Sequence, residues 1–156
     1  MKQLFLYKFR GWLFERMVDA FVNSGWIIKI IDFRNQEVKK YKDKVGLTVF
    51  NSKIIYLDVR EGAPRILLHE LGHFSFRDFF TTAAQDLPWK EIKKVSGRSR
   101  EDKEYNWDEL RTGEFEELFF PCLSRRQIKI LQEFIEEAQE RYKKDGDEPL
   151  ILYEYL

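Results

Sequence analysis

Hydrophobic and polar positions in the first part of the chain predict one helix followed by three strands. Residues 4–21 have apolar side chains at the three- and four-residue spacing of one helical face. The positions that form this face are Leu13, Met17, Ala20 and Phe21. Residues 26–33 are rich in β-branched and aromatic side chains and predict a strand. Residues 45–50 and 53–59 predict a hairpin around Asn51-Ser52, because Asn tolerates the left-handed backbone region.

The next stretch predicts a helix and then a segment with no clear period. Pro64 suits the first turn of a helix, where its missing N–H would have no partner, and helical spacing continues over residues 64–76. Residues 77–107 contain proline and glycine and become strongly charged. We therefore expect a charged insertion or mobile loop at about 77–107.

Two more helices are predicted in the last third of the chain. One covers about residues 108–120 and ends at a proline. Ser124 and Gln127 have the spacing of a capping box, which starts a final helix that runs to about residue 144. The tail, residues 150–156, is apolar enough to form a short strand or to pack against the rest of the domain.

Together these elements predict an α+β fold in one domain, residues 1–156, with a small antiparallel sheet packed against helices. A chain of 156 residues with 44% apolar and 16% aromatic side chains can bury a substantial core. Its 27 basic and 27 acidic residues give a formal net charge of zero. A dedicated nucleic-acid binder usually has a basic excess, so we expect no direct nucleic-acid ligand.

The apolar segments and the single cysteine indicate where in the cell the protein is located. Lys8 and Arg10 interrupt the apolar stretch near the N-terminus, so a secretory signal is not expected. No apolar run approaches the roughly 20 residues that span a bilayer. Cys122 has no second cysteine to pair with, which fits a reducing environment. We expect a cytoplasmic protein that does not associate with membranes.

Five residues of the helix over 64–76 carry recognisable chemistry: His69-Glu70-Leu71-Gly72-His73. Residues four apart share a helix face, so His69 and His73 can bind one Zn²⁺. Glu70 lies about 100° around the helix. It can therefore act as general base on a water molecule at the metal, the pattern of a zinc metallopeptidase. Gly72 allows close approach of a neighbouring strand or of a substrate backbone.

The metal's third protein ligand must be another residue type, because the chain has only two histidines and both lie in this motif. A carboxylate would complete a catalytic site with one open position. If the next helix starts near Trp107, Glu114 lies in its apolar stripe. If it starts after Gly113, Glu116 lies nearest the stripe. Cys122 is a third alternative. The acidic candidates on this helix are Asp108, Glu109, Glu114, Glu116 and Glu117.

A strand pair, the HELGH helix and the later segment Glu114-Phe115-Glu116-Glu117-Leu118-Phe119-Phe120-Pro121 together resemble the ImmA/IrrE metallopeptidases. The resemblance covers about residues 45–125, and HELGH is its specific part. It implies a zincin-like fold and a gluzincin-type hydrolase in which His69, His73 and Glu116 bind Zn²⁺ and Glu70 is catalytic. This chain departs from the family's pattern at Glu117 and Pro121, where small residues are usual.

Members of that family typically act upon a helix-turn-helix repressor. The resemblance therefore implies a protein or peptide substrate, with a transcriptional repressor as one candidate. The alternative hypothesis is a non-catalytic zinc-binding protein that interacts with a regulator through the same surface. Glu70 argues against this alternative, because a structural zinc site has no use for a general base and is normally closed by four protein ligands.

Overall fold

A computed structural model describes residues 9–80 and 107–150 of the chain. Over these residues the fold is α+β, as predicted, with four α-helices and a three-stranded sheet. The helices are α1 (Phe14–Asn23, preceded by a π-helical turn at Phe9–Leu13), α2 (Pro64–Phe74), α3 (Trp107–Phe119) and α4 (Arg125–Asp145). The strands are β1 (Ile27–Ile31), β2 (Gly46–Val49) and β3 (Ile54–Asp58).

The sheet has the order β1-β3-β2. The predicted hairpin is confirmed, because β2 and β3 pair in antiparallel fashion with Gly46 opposite Leu57. The sheet as a whole is mixed rather than antiparallel, because β1 pairs with β3 in parallel, with Ile27 opposite Ile54. The connection between β1 and β2 reaches the far edge of the sheet before β3 returns between them. Local alternation of apolar residues does not encode that crossover, which depends on pairing between distant segments.

The hairpin turn differs from the prediction in one detail. The left-handed residue is Lys53, with φ of 56°, rather than Asn51. Lys53 N donates to Phe50 O at 3.2 Å, so the turn closes one position later. A non-glycine residue in this region costs about 1–2 kcal/mol. Two contacts offset the cost: Ile27 N donates to Lys53 O at 3.1 Å, and Lys53 Nζ donates to Ser24 O at 3.0 Å.

Helix α2 begins at Pro64, as predicted, and buries one apolar side against the core. The buried side chains of this face are Leu67, Leu68, Leu71 and Phe74. The helical path continues beyond the predicted end at residue 76 as a π-helical turn over Ser75–Phe79. Residues 77–80 therefore extend the helix instead of starting a loop, and the rest of the predicted charged insertion lies outside the described residues.

Helix α4 starts with the predicted capping box: Gln127 N donates to Ser124 Oγ at 3.2 Å, and Ser124 N donates to Gln127 Oε1 at 3.0 Å. It packs against β1 through a narrow buried stripe, while its opposite face is charged and exposed. Within the described ranges, no helix is both long enough and apolar enough to cross a membrane. Of the predicted tail, Leu150 packs on the cluster around Phe33, and residues 151–156 lie outside the described residues.

Aromatic side chains fix α3 against α2 and the N-terminal turn. Phe115 is fully buried and makes edge-to-face contacts with Phe9, Phe76 and Phe80, with ring centroids 5.5–5.7 Å apart. Such pairs contribute about 0.5–1.5 kcal/mol each beyond the burial of their area. This packing orients the polar face of α3 toward the histidines of α2.

Candidate metal centre

Helix α2 holds both histidines on the face opposite its buried apolar side. His69 and His73 are one turn apart, with ring centroids 5.1 Å apart. A ligand atom from each of His69, Glu70 and His73 lies within 4.8 Å of the other two. The helical spacing of the motif therefore brings together the three residues predicted from it.

Gly72 allows α3 to approach α2 closely. A Cβ atom at Gly72 would lie 2.9 Å from Thr112 Cγ2 and 3.0 Å from Phe115 Cδ1, both closer than ordinary van der Waals contact. Thr112 and Phe115 are both fully buried, so neither side chain has room to retreat. The element that needs this glycine is thus a helix, not the strand or substrate backbone that we predicted.

One carboxylate of α3 reaches both imidazoles. Glu109 Oε1 lies 2.7 Å from His69 Nε2, and Glu109 Oε2 lies 3.1 Å from His73 Nε2. The Glu109 side chain is 58% exposed, whereas the imidazoles of His69 and His73 are 17% and 11% exposed. The Nε2 atoms of the two histidines therefore converge on a single group at the solvent boundary.

Two further carboxylates of α3 lie at the Nδ1 atoms. Glu116 Oε1 is 3.0 Å from His69 Nδ1, and Asp108 Oδ2 is 2.9 Å from His73 Nδ1. Each of them also forms an ion pair with an arginine, Glu116 with Arg65 and Asp108 with Arg111. These contacts fix the orientation of both rings.

Glu70 faces away from α3, toward the edge strand β2. Its side chain is buried, and Thr48 Oγ1 donates to Glu70 Oε1 at 2.8 Å and to the Glu70 carbonyl oxygen at 3.2 Å. A Cβ atom at Gly46 would lie 2.9 Å from Glu70 Oε2. Glycine at position 46 therefore leaves room for the carboxylate, and the Thr48 hydroxyl sets its orientation.

The pKa values at this site shift in opposite directions. Burial lowers the pKa of His73, but hydrogen bonds to Asp108 and Glu109 and the nearby charge of Glu70 outweigh it and raise the pKa to about 10. At His69, burial again lowers the pKa, but the hydrogen bond to Glu109 and the charge of Glu70 outweigh it, so the pKa is raised. The same hydrogen bonds hold the pKa of Glu109 well below its ordinary value. Burial raises the pKa of Glu70 despite both nearby imidazoles.

The three predicted candidates for third ligand lie in different surroundings. Glu116 contacts His69, but at Nδ1. Glu114 is half-buried on the same helix, and the contacts to the imidazoles described above come from its neighbours. The Cys122 thiol donates to the carbonyl of Leu118, one turn back along its own chain, at 3.6 Å.

Sequence reasoning did not separate Asp108 and Glu109 from the other acidic residues of α3, and it did not identify Thr48. One signal was present for Glu109. It precedes Glu116 by seven residues, so the two share one face of a helix over two turns, whereas Glu114 lies on another face. For Thr48 no sequence signal exists, because its contact with Glu70 depends on how β2 packs beside α2.

The donor set fits a divalent cation. Imidazole nitrogen and carboxylate oxygen are common zinc ligands. Four carboxylates lie around the two imidazoles, and two of them, Asp108 and Glu116, form ion pairs with arginines. The four carboxylates are those of Glu70, Asp108, Glu109 and Glu116.

Comparison of the chain with protein-family models, with curated proteins and with solved structures finds no match. The ImmA/IrrE resemblance therefore stays a prediction from the motif.

Proposed function

We propose that this protein is a zinc-dependent metallopeptidase of the gluzincin type, with a zincin-like active-site helix. One observation carries the proposal: two imidazoles one turn apart lie beside a buried glutamate, with ligand atoms of His69, Glu70 and His73 within 4.8 Å of one another. A buried carboxylate that is not itself needed as a ligand is the arrangement that a general base requires.

In this mechanism each residue has a distinct task. His69 and His73 hold the metal, and a carboxylate of α3 completes the protein ligands. When bound, zinc is a Lewis acid that lowers the pKa of a water molecule toward about 7 and polarises the peptide carbonyl. Glu70 accepts the proton of the attacking water on its carboxylate and then delivers it to the leaving amine. Thr48 keeps the Glu70 side chain in position through the 2.8 Å hydrogen bond to Oε1.

Strand β2 offers a way to bind an extended substrate. It lies at the edge of the described sheet, and Gly46 and Thr48 place it next to Glu70. A peptide added as a further strand would receive main-chain hydrogen bonds from this edge, while pockets for alternate side chains would select its sequence. The proposed substrate is therefore a protein segment in extended conformation.

The resemblance of HELGH and of the Glu116 segment to ImmA/IrrE proteins supports the same activity. On that basis we propose a cytoplasmic enzyme whose substrate is a regulatory protein, with a helix-turn-helix repressor as the first candidate. The zero net charge of the chain fits a protein substrate better than nucleic acid.

The second candidate function is a non-catalytic zinc protein that binds a regulator. The favouring observation is the number of carboxylates at the imidazoles: Asp108, Glu109 and Glu116 together could supply enough oxygen ligands to close a shell of four. Glu70 separates the two functions, because a closed structural site has no use for a buried carboxylate beside it.

Metal analysis combined with a cleavage assay tests the proposal. Purified protein should contain about one zinc per chain and should cut members of a diverse peptide library. A chelator should abolish cleavage, and added zinc should restore it. Cleavage that survives complete removal of zinc would rule out the mechanism. Stoichiometric zinc without cleavage of any peptide or candidate repressor would favour the non-catalytic function.

A further inference from the structure

The two nitrogens of each imidazole have different carboxylate partners in this site. At His69, Nε2 lies 2.7 Å from Glu109 and Nδ1 lies 3.0 Å from Glu116. At His73, Nε2 lies 3.1 Å from Glu109 and Nδ1 lies 2.9 Å from Asp108. Among the contacts described, Glu109 is thus the carboxylate that the two rings share, and each ring has a separate carboxylate on its other side.

This pattern matters because the ring nitrogens of an imidazole point in different directions. A metal ion bound to one nitrogen leaves the other to donate its N–H to a carboxylate, which orients the ring and fixes its tautomer. The Nδ1 contacts of Glu116 and Asp108 have the geometry of such orienting groups. A cation held by both histidines has to lie on the side where nitrogens from both rings converge, and that is the Nε2 side.

We propose that Glu109, rather than Glu116, is the third protein ligand of the metal, and that Glu116 and Asp108 are positioning residues acting through His69 and His73. The assignment depends on the proposed function, because it presumes that the two histidines bind zinc. Glu109 lies in the first turn of α3, two turns before Glu116, which is the ligand that the family resemblance implies.

The distances support this assignment. Tetrahedral zinc with bonds of about 2.0–2.1 Å separates its ligand atoms by roughly 3.3 Å. The separations of 2.7 and 3.1 Å between Glu109 oxygens and the Nε2 atoms are within several tenths of an ångström of that value. A small outward movement of the Glu109 side chain, which is 58% exposed, would make room for the ion. Because the Glu109 side chain is exposed, the fourth coordination position of the metal would face solvent.

Arginines compete with a metal ion for the other two carboxylates. Arg65 pairs with Glu116 and Arg111 pairs with Asp108. A guanidinium group on a carboxylate competes with a cation for the same lone pairs and repels it. Arg65 also lies one turn before His69 on α2, which ties Glu116 to the helix it orients.

Zinc affinity measured by competition with a chromogenic chelator tests the assignment. Glu109→Gln should weaken zinc binding by more than the roughly 10–100-fold that loss of an orienting group usually causes, and Glu116→Gln should fall within that range. Glu117→Gln, at an exposed position of the same helix, is the matched control and should change affinity by less than about twofold. Glu109→Asp keeps the charge on a shorter side chain and should give an intermediate loss.

Cobalt substitution gives a second readout that does not require activity. The visible d–d spectrum of Co²⁺ reports the number and type of ligands, so Glu109→Gln should change the spectrum and Glu116→Gln should not. Circular dichroism of the chelator-treated variants checks that each is folded. If Glu109→Gln were misfolded, the comparison of Glu109→Asp with Glu116→Asp would still rank the two positions.

The outcomes separate the two levels of inference. A larger loss of affinity in Glu116→Gln than in Glu109→Gln, or equal losses, would overturn the assignment while leaving the metallopeptidase proposal intact. Failure of the wild-type protein to bind zinc would instead remove the proposed function itself. Zinc binding dominated by Glu109, in a protein that cleaves no peptide, would support the ligand assignment and favour the non-catalytic function.

Discussion

Two polar clusters in this protein both pair acidic groups with basic ones, but they are built from different donors. The sheet-end cluster consists of Asp32, Asp58 and Arg60, at the ends of β1 and β3. Asp58 is 1% exposed and accepts from Phe33 N at 3.1 Å and from Arg60 at 3.0 Å. Arg60 also binds Asp32 at 2.8 Å. Every donor named here is a backbone N–H or a guanidinium group, neither of which releases a proton near neutral pH.

The imidazole cluster consists of His69, His73, Asp108, Glu109 and Glu116. Its donors are imidazoles, which can give up their protons and become metal ligands. In the sheet-end cluster, by contrast, Arg60 contacts both aspartates and keeps its proton near neutral pH. The comparison indicates that buried charge alone does not mark a functional site. The identity of the donors distinguishes a site that can accept a cation from one that holds two chain segments together.

The largest expected effect on activity comes from Glu70, the proposed general base, which lies beside the imidazole cluster. Glu70→Gln should reduce kcat by about 10²–10⁴-fold, the usual contribution of a general base, and should keep stoichiometric zinc. Peptide cleavage and metal content measured on the same preparation check this. Glu117→Gln makes the same chemical change at an exposed position and should leave kcat unchanged. Full activity in Glu70→Gln would show that another group accepts the proton.

Asp58→Ala should destabilise the fold without affecting the metal. Removing one partner of a buried ion pair costs about 3–5 kcal/mol, and we expect about 2–4 here because the Arg60 side chain is 29% exposed. Urea unfolding with chelator or with saturating zinc measures both quantities. The stabilisation added by zinc should equal that of the wild type. If zinc stabilised the variant against unfolding by less than it stabilises the wild type, the two clusters would be coupled.

The exposed Asp43 provides the control for that experiment. Asp43→Ala removes a carboxylate in solvent and should change the free energy of unfolding by less than about 0.5 kcal/mol. If both aspartate variants had the same small effect, Asp58 would not stabilise the sheet end as its contacts indicate.

Gly72→Ala should weaken both stability and metal binding, because α3 must move away from α2. Overpacking costs about 1–3 kcal/mol, and the better helix propensity of alanine returns about 1 kcal/mol. We therefore expect a net loss of up to about 2 kcal/mol and a measurable fall in zinc affinity. Gly113→Ala is the matched control on α3, where an added Cβ meets nothing within 4 Å, and it should be neutral or stabilising. If Gly72→Ala left zinc affinity unchanged, the close packing of α3 on α2 would not be required for metal binding.

The smallest expected effect concerns Thr48. Thr48→Val keeps the shape but removes the hydroxyl that binds Glu70 at 2.8 Å, so kcat should fall about tenfold with little change in KM. Thr48→Ser restores the hydroxyl and should recover activity to within about threefold. Steady-state kinetics of both variants check this. Equal losses in the two would point to packing by the Thr48 methyl group instead.

Local features of this fold were predictable where neighbouring residues determine them. Pro64 starts α2, and Ser124 and Gln127 cap α4, because each signal acts within a single turn of helix. The hairpin was also correct, since its two strands are close in the chain. The parallel pairing of β1 with β3 was missed, because residues far apart in sequence decide it. The left-handed turn position at Lys53 was missed because the contacts to Ser24 and Ile27 stabilise it from outside the turn.

The same division applies to the candidate site. The sequence by itself placed His69 and His73 on one helix face with Glu70 beside them, because a fixed helical period allows no other arrangement. Only the tertiary structure decided which carboxylates meet those imidazoles. Close packing at Gly72 fixes how α3 lies across α2, and that places Glu109 at Nε2 and Glu116 at Nδ1. Helical periodicity specifies neighbours within one helix, but the contacts between two helices follow from the shapes of the side chains that separate them.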